Sequence, residues 1–243
     1  MLGYIISDKE EINVENYEIQ SFDILHKTDL NIFVIKNNKV LYKNNIIYYA
    51  CKYGHIQVLE WFKNSGYEFT YDYSAIGCAS AYGNIKVLEW FKNSGYEFKY
   101  EWAIHKASEY GHIKVLEWFK NYNYEFKYNE NAINYACANG HIKVLEWFKN
   151  SIYEFKYDEQ AIVFASDKGH IQVLEWFKNS DYKFKYDGWA IYYASKNKCL
   201  QVLKFFSYNC NIKKLIKWSK KNIFIKTIKF KTHNKYLKGY QKN

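Results

Sequence analysis

The segment Gly-His-Ile-Gln-Val-Leu-Glu-Trp-Phe-Lys, at residues 54–63, decides the fold because it returns nearly unchanged along the chain. Its further copies begin 29, 28, 29 and 29 residues after one another, at 83–92, 111–120, 140–149 and 169–178. Self-similarity at such a period is typical of solenoids, in which each unit packs only against its neighbours. The sequence therefore predicts a repeat array and not one or two ordinary globular domains.

Each repeat is expected to form two helices and a linker. Ala132 and Ala136 share one face of a first helix, which Gly140 ends because glycine readily takes a positive φ. An extended linker at residues 153–158 leads to the next repeat, where Asp158 is placed to cap the first helix. Between turn and linker, a second helix is predicted by an apolar stripe at three- and four-residue spacing: Ile142, Val144, Leu145, Trp147 and Phe148.

An aromatic residue recurs at one register of the second helix: Trp61, Trp90, Trp118, Trp147, Trp176 and Phe205. Aromatic side chains repeated in register most simply form a core ladder between stacked helices, and a ligand cage is the less favoured interpretation. Truncating one such buried ring to alanine should lower the free energy of unfolding by about 3–5 kcal/mol.

The position directly after the interhelix glycine carries three residue types in six copies: His55, Asn84, His112, His141, His170 and Cys199. A metal or catalytic site would not tolerate such variation, so a structural role is predicted. The five cysteines are scattered without a Cys-x-x-Cys pair, which argues against a zinc site and a disulfide framework. We expect no metal and no cofactor.

Motifs of catalysis and membrane insertion are missing from the sequence. It contains no Gly-rich phosphate loop, no Gly-x-Ser-x-Gly, no His-Glu-x-x-His and no apolar run long enough to predict a membrane span. The first eleven residues are acidic and lack the pattern of a secretion signal. We therefore expect a non-enzymatic, intracellular protein that is not secreted.

The positive charge is concentrated at one end of the chain. All 35 basic residues are lysine, and residues 211–243 hold 11 of them with no acidic residue. Residues 1–210 hold the other 24 lysines against 25 acidic residues, a net charge of −1. The absence of arginine and proline indicates an A/T-rich genome. Without arginine, the chain lacks the residue whose forked guanidinium group is best suited to binding phosphate.

The pattern Gly-His-Ile-x-Val-Leu-x-Trp-Phe, preceded by Ala-Ile and a further alanine, resembles the ankyrin repeat. The resemblance covers about residues 44–206, in six copies. It implies an all-α, ankyrin-type solenoid of stacked helix-turn-helix repeats that offers an extended surface to protein partners. In the first copy the matching residues are Gly54, His55, Val58, Leu59, Trp61, Phe62 and Gly66.

Two departures from the family pattern shape the expected surface. The family's Thr-Pro-Leu-His becomes x-Ala-Ile-x, and only His105 keeps the histidine. Each repeat is also shorter than the usual length of about 33 residues, which implies a shortened inter-repeat finger. The short repeat resembles those multiplied in large DNA viruses of amoebae. This resemblance implies a viral protein that acts in the host cytoplasm, with the nucleus as an alternative.

The two ends are expected to cap the array, which spans residues 44–210. A backward shift of 29 residues aligns His26 with His55, so residues 1–43 are interpreted as a degenerate N-terminal capping repeat, whose clearest part is 14–43. An unrelated adaptor segment is the alternative. Residues 211–243 are expected to form a basic capping helix and tail.

Candidate partner-binding residues lie on the first helices, because the second helices are almost identical and carry little information about a partner. Glu60, Lys63 and their equivalents are interpreted as a solvated convex face. Positions five, two and one before the interhelix glycine should face the concave side, where tyrosine supplies contact area at low entropic cost. Drift after duplication is the alternative. The predicted surface for one or more unidentified proteins comprises Tyr49, Tyr53, Tyr82, Lys106, Glu109, Tyr110, Tyr135, Asn139, Phe164, Asp167, Lys168, Tyr193 and Lys196.

A competing hypothesis is nucleic-acid binding by the tail, with the array as a spacer. If about five lysines met duplex phosphates, log affinity should fall against log salt with a slope of about −4 to −5. A solvated capping end and a localisation or anionic-surface patch are the other interpretations of this charge. We expect a monomer that does not enter a membrane. The candidate nucleic-acid contacts are Lys213, Lys214, Lys217, Lys220 and Lys221.

Overall fold

The computed structural model describes the chain at residues 2–6, 11–13, 31–36, 39–40, 46–64, 71, 73–98, 100, 102–122 and 125–210. Across these residues twelve short helices follow one another in pairs. The predicted solenoid of stacked helix-turn-helix repeats is confirmed. The helices are α1 Ile46–Tyr53, α2 Ile56–Asn64, α3 Tyr73–Ala81, α4 Ile85–Ser94, α5 Ala103–Glu109, α6 Ile113–Asn121, α7 Asn131–Ala138, α8 Ile142–Lys149, α9 Glu159–Lys168, α10 Ile171–Asn179, α11 Gly188–Lys196 and α12 Leu200–Asn209.

Strands precede the helices: β1 Leu2–Ile6, β2 Glu11–Asn13, β3 Asn31–Lys36 and β4 Lys39–Val40. They form one antiparallel sheet in the order β2-β1-β3-β4, in which Tyr4 is paired with Phe33. β1 and β3 lie next to α1, so the sheet adjoins the first repeat of the array.

This sheet differs from the helical capping repeat that the backward shift predicts. β3 occupies the register in which the shift places a second helix. Its sequence, Asn-Ile-Phe-Val-Ile-Lys, is rich in β-branched and aromatic residues, which favour a strand over a helix. Residues 14–30, and the capping helix and tail expected at 211–243, lie outside the described part of the chain.

The chain divides into two compact units, Met1–Tyr157 and Asp158–Asn243. In the first unit, α1, α3, α5 and α7 pack side by side in that order, and each second helix packs against the first helix of its own repeat. In the second unit, α9 packs against α11 and α10 against α12. This stacking brings equivalent positions of successive repeats together.

The core repeats with the sequence, and phenylalanine is its largest component. The tryptophan just before each phenylalanine is more peripheral, because Trp90 and Trp118 are buried but Trp147 and Trp176 are only half-buried. The predicted ladder is therefore carried mainly by the neighbouring phenylalanines, with tryptophan at its edge. The fully buried phenylalanines are Phe62, Phe91, Phe119, Phe148, Phe177 and Phe206.

The tryptophan edge also links neighbouring repeats. Nε1 of Trp90 donates a hydrogen bond to Oε1 of Glu60 at 2.5 Å, and Nε1 of Trp147 donates to Glu117 in the same way. Glutamate at this register thus holds two repeats together. Glu60 remains exposed, as the prediction of a solvated face requires, and contacts the next repeat in addition.

The turn inside each repeat depends on a positive φ. The interhelix glycines have φ between 71° and 80°, and Lys198 takes the same region in the sixth repeat, with φ 59°. In the third repeat, the backbone N–H of His112 donates to the carbonyl oxygen of Ala107 at 2.8 Å. A hydrogen bond of this span satisfies a carbonyl group at the end of the first helix.

The residue after the interhelix glycine contacts the preceding repeat. Nδ2 of Asn84 donates to the carbonyl oxygens of Cys51 and Lys52, at 2.9 and 2.6 Å, and so satisfies the C-terminal end of α1. His112 and His141 lie close over the interhelix glycines of the repeats before them. These contacts are the structural role that the sequence predicts for this position.

Aspartate caps the first helices of the second unit. The side chain of Asp158 accepts from the backbone N–H of Gln160 at 2.8 Å, and that of Asp187 accepts from the N–H of Trp189 at 2.9 Å. The predicted cap at Asp158 is confirmed. The cap fixes where a first helix begins after the extended linker.

Tyrosine hydroxyls join successive linkers in the first unit. The hydroxyl of Tyr71 donates to the carbonyl oxygen of Glu97, and the hydroxyl of Tyr128 donates to that of Glu154. The described linker residues 125–129 contain no strand, in agreement with a shortened finger. A side-chain bond thus connects the linkers where longer repeats have a hairpin.

We expect the Tyr128→Phe variant to lower the free energy of unfolding by about 0.5–1.5 kcal/mol, because the carbonyl group of Glu154 loses its donor. Urea denaturation at neutral pH measures this loss. Tyr208→Phe is the matched control, since this tyrosine is highly exposed and its hydroxyl should contribute almost nothing. Equal stability of the two variants would contradict the role assigned to the linker bond.

The same variant has a pH signature. Burial, with the nearby Glu154 carboxylate, raises the pKa of Tyr128 from 10.0 to about 12. Because the folded pKa is the higher one, the stabilising contribution is complete below pH 10 and is lost as the pH rises towards 12. Tyr128→Phe should therefore lose less stability over this interval than the wild type does.

Candidate interaction surface on the first helices

The predicted partner-binding residues lie on the first helices or directly after them. None belongs to the fully buried core. The predicted partner-binding residues that lie in the first unit, together with Lys52, are termed the first-helix surface. Those predicted residues are half-buried or exposed: Tyr49, Tyr53, Tyr82, Lys106, Glu109, Tyr110, Tyr135 and Asn139.

A row of tyrosines crosses α1, α3 and α5, one directly before each interhelix glycine. This tyrosine row consists of Tyr53, Tyr82 and Tyr110. The rings of Tyr82 and Tyr110 stack with centroids 6.5 Å apart and planes 21° apart, while Tyr53 stacks on Tyr49 at 6.2 Å. Tyr82 and Tyr110 remain 49% and 50% exposed. The row thus offers aromatic area that the fold itself does not bury.

Lys52 lies among these rings. Its Nζ is 4.9 Å from the ring centroid of Tyr53, 5.1 Å from that of Tyr82 and 5.9 Å from that of Tyr49. Hydrogen bonding to Tyr53, and then to Tyr82, raises the pKa of Lys52 above its ordinary value. The ammonium therefore stays charged over the physiological range and is held against the aromatic faces.

Lys106 and Glu109, both predicted to meet a partner, bind each other instead. Nζ of Lys106 lies 2.8 Å from Oε2 of Glu109, and this hydrogen bond raises the pKa of Lys106. The same Nζ is 5.9 Å from the ring centroid of Tyr110. The pair therefore adds little net charge beside the tyrosine row.

The row ends at the fourth repeat, where Asn139 takes the tyrosine position. Nδ2 of Asn139 donates to the backbone carbonyl of Tyr135 at 3.1 Å, which satisfies the end of α7. Tyr135 lies four residues earlier and is half-buried. The exposed aromatic area of the first unit is therefore centred on its second and third repeats.

The second unit has its own group of predicted residues. Asp167 is engaged within the fold, because its Oδ1 accepts from Nδ2 of Asn197 at 2.7 Å and its carboxylate lies 3.6 Å from Nζ of Lys168. The ring of Tyr193 stacks on Trp189 with centroids 5.8 Å apart. The predicted residues of this unit are Phe164, Asp167, Lys168, Tyr193 and Lys196.

Sequence reasoning missed two aromatic residues at the ends of first helices. Trp102 and Trp189 are about half exposed at the N-terminal ends of α5 and α11. A large apolar residue where other copies carry serine, asparagine or glutamine is the signal that could have found them. Lys52 lies at one of the register positions expected to face a partner, but the predicted set omits it.

A shallow groove of about 340 Å³ lies between the second helices α6 and α8. Two lysines and two glutamates line it, and the hydrogen bond from Trp147 to Glu117 belongs to its wall. The groove is therefore part of the inter-repeat packing. Its lining includes Ile113, Glu117, Lys120, Lys143, Glu146 and Trp147.

The described residues hold no group of three His, Cys, Asp or Glu side chains arranged to bind a metal ion. No helix in that part of the chain has both the length and the apolar character to cross a membrane. The candidate nucleic-acid contacts lie outside the described residues: Lys213, Lys214, Lys217, Lys220 and Lys221.

Comparison with known proteins identifies the repeat. Residues 104–148, from α5 to α8, match the family model described as ankyrin repeats (many copies). These residues are thus similar in sequence to ankyrin repeats. The human ASB11 ankyrin repeat domain has a similar crystal structure, with a TM-score of 0.52 over 69% of this chain and 85% of that one. At 12% sequence identity this similarity concerns the fold alone. No curated protein matches the chain.

Ankyrin repeats generally mediate protein–protein interaction, and ankyrin-repeat proteins are typically non-enzymatic scaffolds. Because fold alone does not specify a binding site, the surface must be argued from its own residues.

Proposed function

We propose that the chain is a non-enzymatic scaffold that binds a protein through the first-helix surface. The observation that carries this proposal is the stacked pair Tyr82 and Tyr110, each about half exposed on adjacent repeats. Tyrosine is enriched among the residues that dominate binding energy at protein interfaces, since it offers a large contact area with few rotors to freeze.

The arrangement suits a partner segment that crosses several repeats. Equivalent positions of α1, α3 and α5 carry Tyr53, Tyr82 and Tyr110, and these helices pack side by side. The stacking holds the rings in place before a partner arrives, which lowers the entropic cost of binding. The short repeats and A/T-biased composition support a viral chain whose partner is a host or viral protein.

The test compares two variants of the full chain. Tyr82→Ala combined with Tyr110→Ala should weaken binding about 30-fold or more, the loss expected from removing interface residues that dominate the energy. The wild type first captures partners from a nuclease-treated amoeba lysate at high salt. Mass spectrometry identifies them, and affinities for the purified partner are then measured for each variant.

Tyr122→Ala is the matched control. Tyr122 lies at the C-terminal end of α6, is 45% exposed and packs on Trp118 with ring centroids 4.8 Å apart. Its loss should leave affinity unchanged, because it lies on a second helix. Equal binding by the wild type and the folded double variant would place the interaction elsewhere. Circular dichroism shows whether each variant is folded.

A further inference from the structure

We infer that the tyrosine row binds an acidic segment of a protein, and that Lys52 binds one of its Asp or Glu carboxylates. This inference rests on the proposed function, because it names the chemistry that the same surface recognises. The position of Lys52 and the distribution of charge on the first helices carry it.

Lys52 is held in place by rings and not by an acid. Its Nζ lies between 4.9 and 5.9 Å from the ring centroids of Tyr49, Tyr53 and Tyr82. Among the ion pairs of the described residues, none involves Lys52. Hydrogen bonds to Tyr53 and Tyr82 occupy two of the three N–H donors of this ammonium, so one donor is left for a further acceptor. An arriving carboxylate can therefore accept a charge-assisted hydrogen bond without displacing another acid.

No acidic residue of the neighbouring first helices balances the positive charge of Lys52. The helices α1, α3, α5 and α7 carry three charged residues in all, Lys52, Lys106 and Glu109. Their net charge is +1. Since Lys106 and Glu109 pair at 2.8 Å, Lys52 is the cation without an acidic partner on these helices. A carboxylate that approaches α1 thus meets one uncompensated cation, and α1 and α3 hold no acidic residue to repel it.

The geometry also predicts what stands beside the acid. The ring of Tyr82 lies 5.1 Å from Nζ of Lys52 and also stacks on the ring of Tyr110. A segment that places a carboxylate at Lys52 can therefore lay an apolar or aromatic residue over the exposed Tyr82 and Tyr110 rings. The expected recognition element is an acidic residue next to an apolar one, in an extended conformation.

A nucleic-acid strand fits this surface less well. Its affinity comes from many phosphates that each meet a cation, and releases counterions in proportion to their number. The four helices offer one uncompensated cation. A single carboxylate of a protein needs no more than that.

The test uses the full chain and a phage-displayed library of random peptides as the probe. Selection should enrich Asp and Glu among the peptides whose binding Tyr82→Ala abolishes. For such a peptide, Lys52→Gln should weaken affinity about 5-fold or more, the upper range for a hydrogen-bonded ion pair at a partly exposed site. Raising the salt concentration should weaken the wild type and affect Lys52→Gln much less.

Two further variants separate charge recognition from damage to the fold. Lys86→Gln removes an exposed lysine of α4 and should leave the affinity unchanged. Glu109→Gln releases Lys106 from its ion pair and adds a second available cation beside Tyr110. Peptides with two acidic residues should then bind about 2- to 5-fold tighter. An increase in affinity cannot come from a destabilised fold.

The outcomes are distinct. Enrichment of acidic residues, together with the loss in Lys52→Gln and the gain in Glu109→Gln, supports the inference. Peptides that depend on Tyr82 but show no acidic enrichment and no effect of Lys52→Gln overturn it and leave the proposed function standing. Selection of no peptide that depends on Tyr82 overturns both.

Discussion

Replacing Phe119 by alanine is expected to lower the free energy of unfolding by about 3–5 kcal/mol, the cost of emptying a closely packed aromatic site. Its side chain is fully buried and meets Phe98, Tyr100 and Trp118 with ring centroids 5.1 to 6.0 Å apart. Phe98 and Tyr100 belong to the linker before α5, whereas Phe119 lies on α6. The ring therefore ties a linker to a second helix inside the first unit.

Urea denaturation followed by circular dichroism measures this loss. Tyr208→Ala is the control, because Tyr208 is an aromatic residue on a second helix that is 81% exposed. Its replacement should change the stability by no more than about 0.5 kcal/mol. A loss below about 1 kcal/mol in Phe119→Ala would mean that tryptophan, and not phenylalanine, carries the ladder.

The regular part of the fold could be predicted because its determinants are local. Gly140 takes a φ of 71° at the end of a first helix, and Asp158 caps the next one through a bond to Gln160. Each feature depends on a few consecutive residues whose conformational preferences are known. Because the pattern recurs with a period of 29 residues, the structure predicted for one repeat applies to the others.

The different burial of the neighbouring tryptophan and phenylalanine could not be predicted in the same way. Trp147 and Phe148 are adjacent, and both fall within the apolar stripe of α8. Which of them is fully buried depends on tertiary contacts, such as those of Phe148 with Phe126 and Tyr128 in the linker before α7. The hydrogen bond from Trp147 to Glu117 likewise joins residues 30 positions apart.

At the N-terminal sheet the local sequence was informative, but the alignment with the repeat was given more weight. The shift of 29 residues aligned a few apolar positions with the repeat and so suggested a helix. β3 nevertheless contains Ile32, Val34 and Ile35, whose branched side chains are stiff in a helix and pack well on a sheet. Composition over six residues was the better guide here.

The exposure of the candidate residues could be predicted from the sequence, but their charge pattern could not. Counting back from the glycine found Tyr82 and Tyr110, which stand exposed on adjacent helices. The same counting could not show that Lys106 is neutralised by Glu109 while Lys52 is not. Ion pairing depends on the rotamers of long side chains, and these have no period in the sequence.

Replacing Gly111 by alanine is expected to lower the free energy of unfolding by about 2–5 kcal/mol. Its φ of 78° is a region that costs a residue with a Cβ about 1–2 kcal/mol. A Cβ at this position would also lie 2.8 Å from Nδ1 of His141, in the next repeat. Relieving that overlap should cost about 1–3 kcal/mol more, because the imidazole is packed between repeats.

Gly95 provides the matched control for backbone strain. It has a φ of 82°, and a Cβ built there meets nothing within 4 Å. Gly95→Ala should therefore cost only about 1–2 kcal/mol. If Gly111→Ala costs no more than Gly95→Ala in thermal or urea unfolding, the close approach of His141 has no energetic weight. The double variant Gly111→Ala with His141→Ala settles the cause. It should cost less than the sum of the two single variants, because removing the imidazole also removes the overlap.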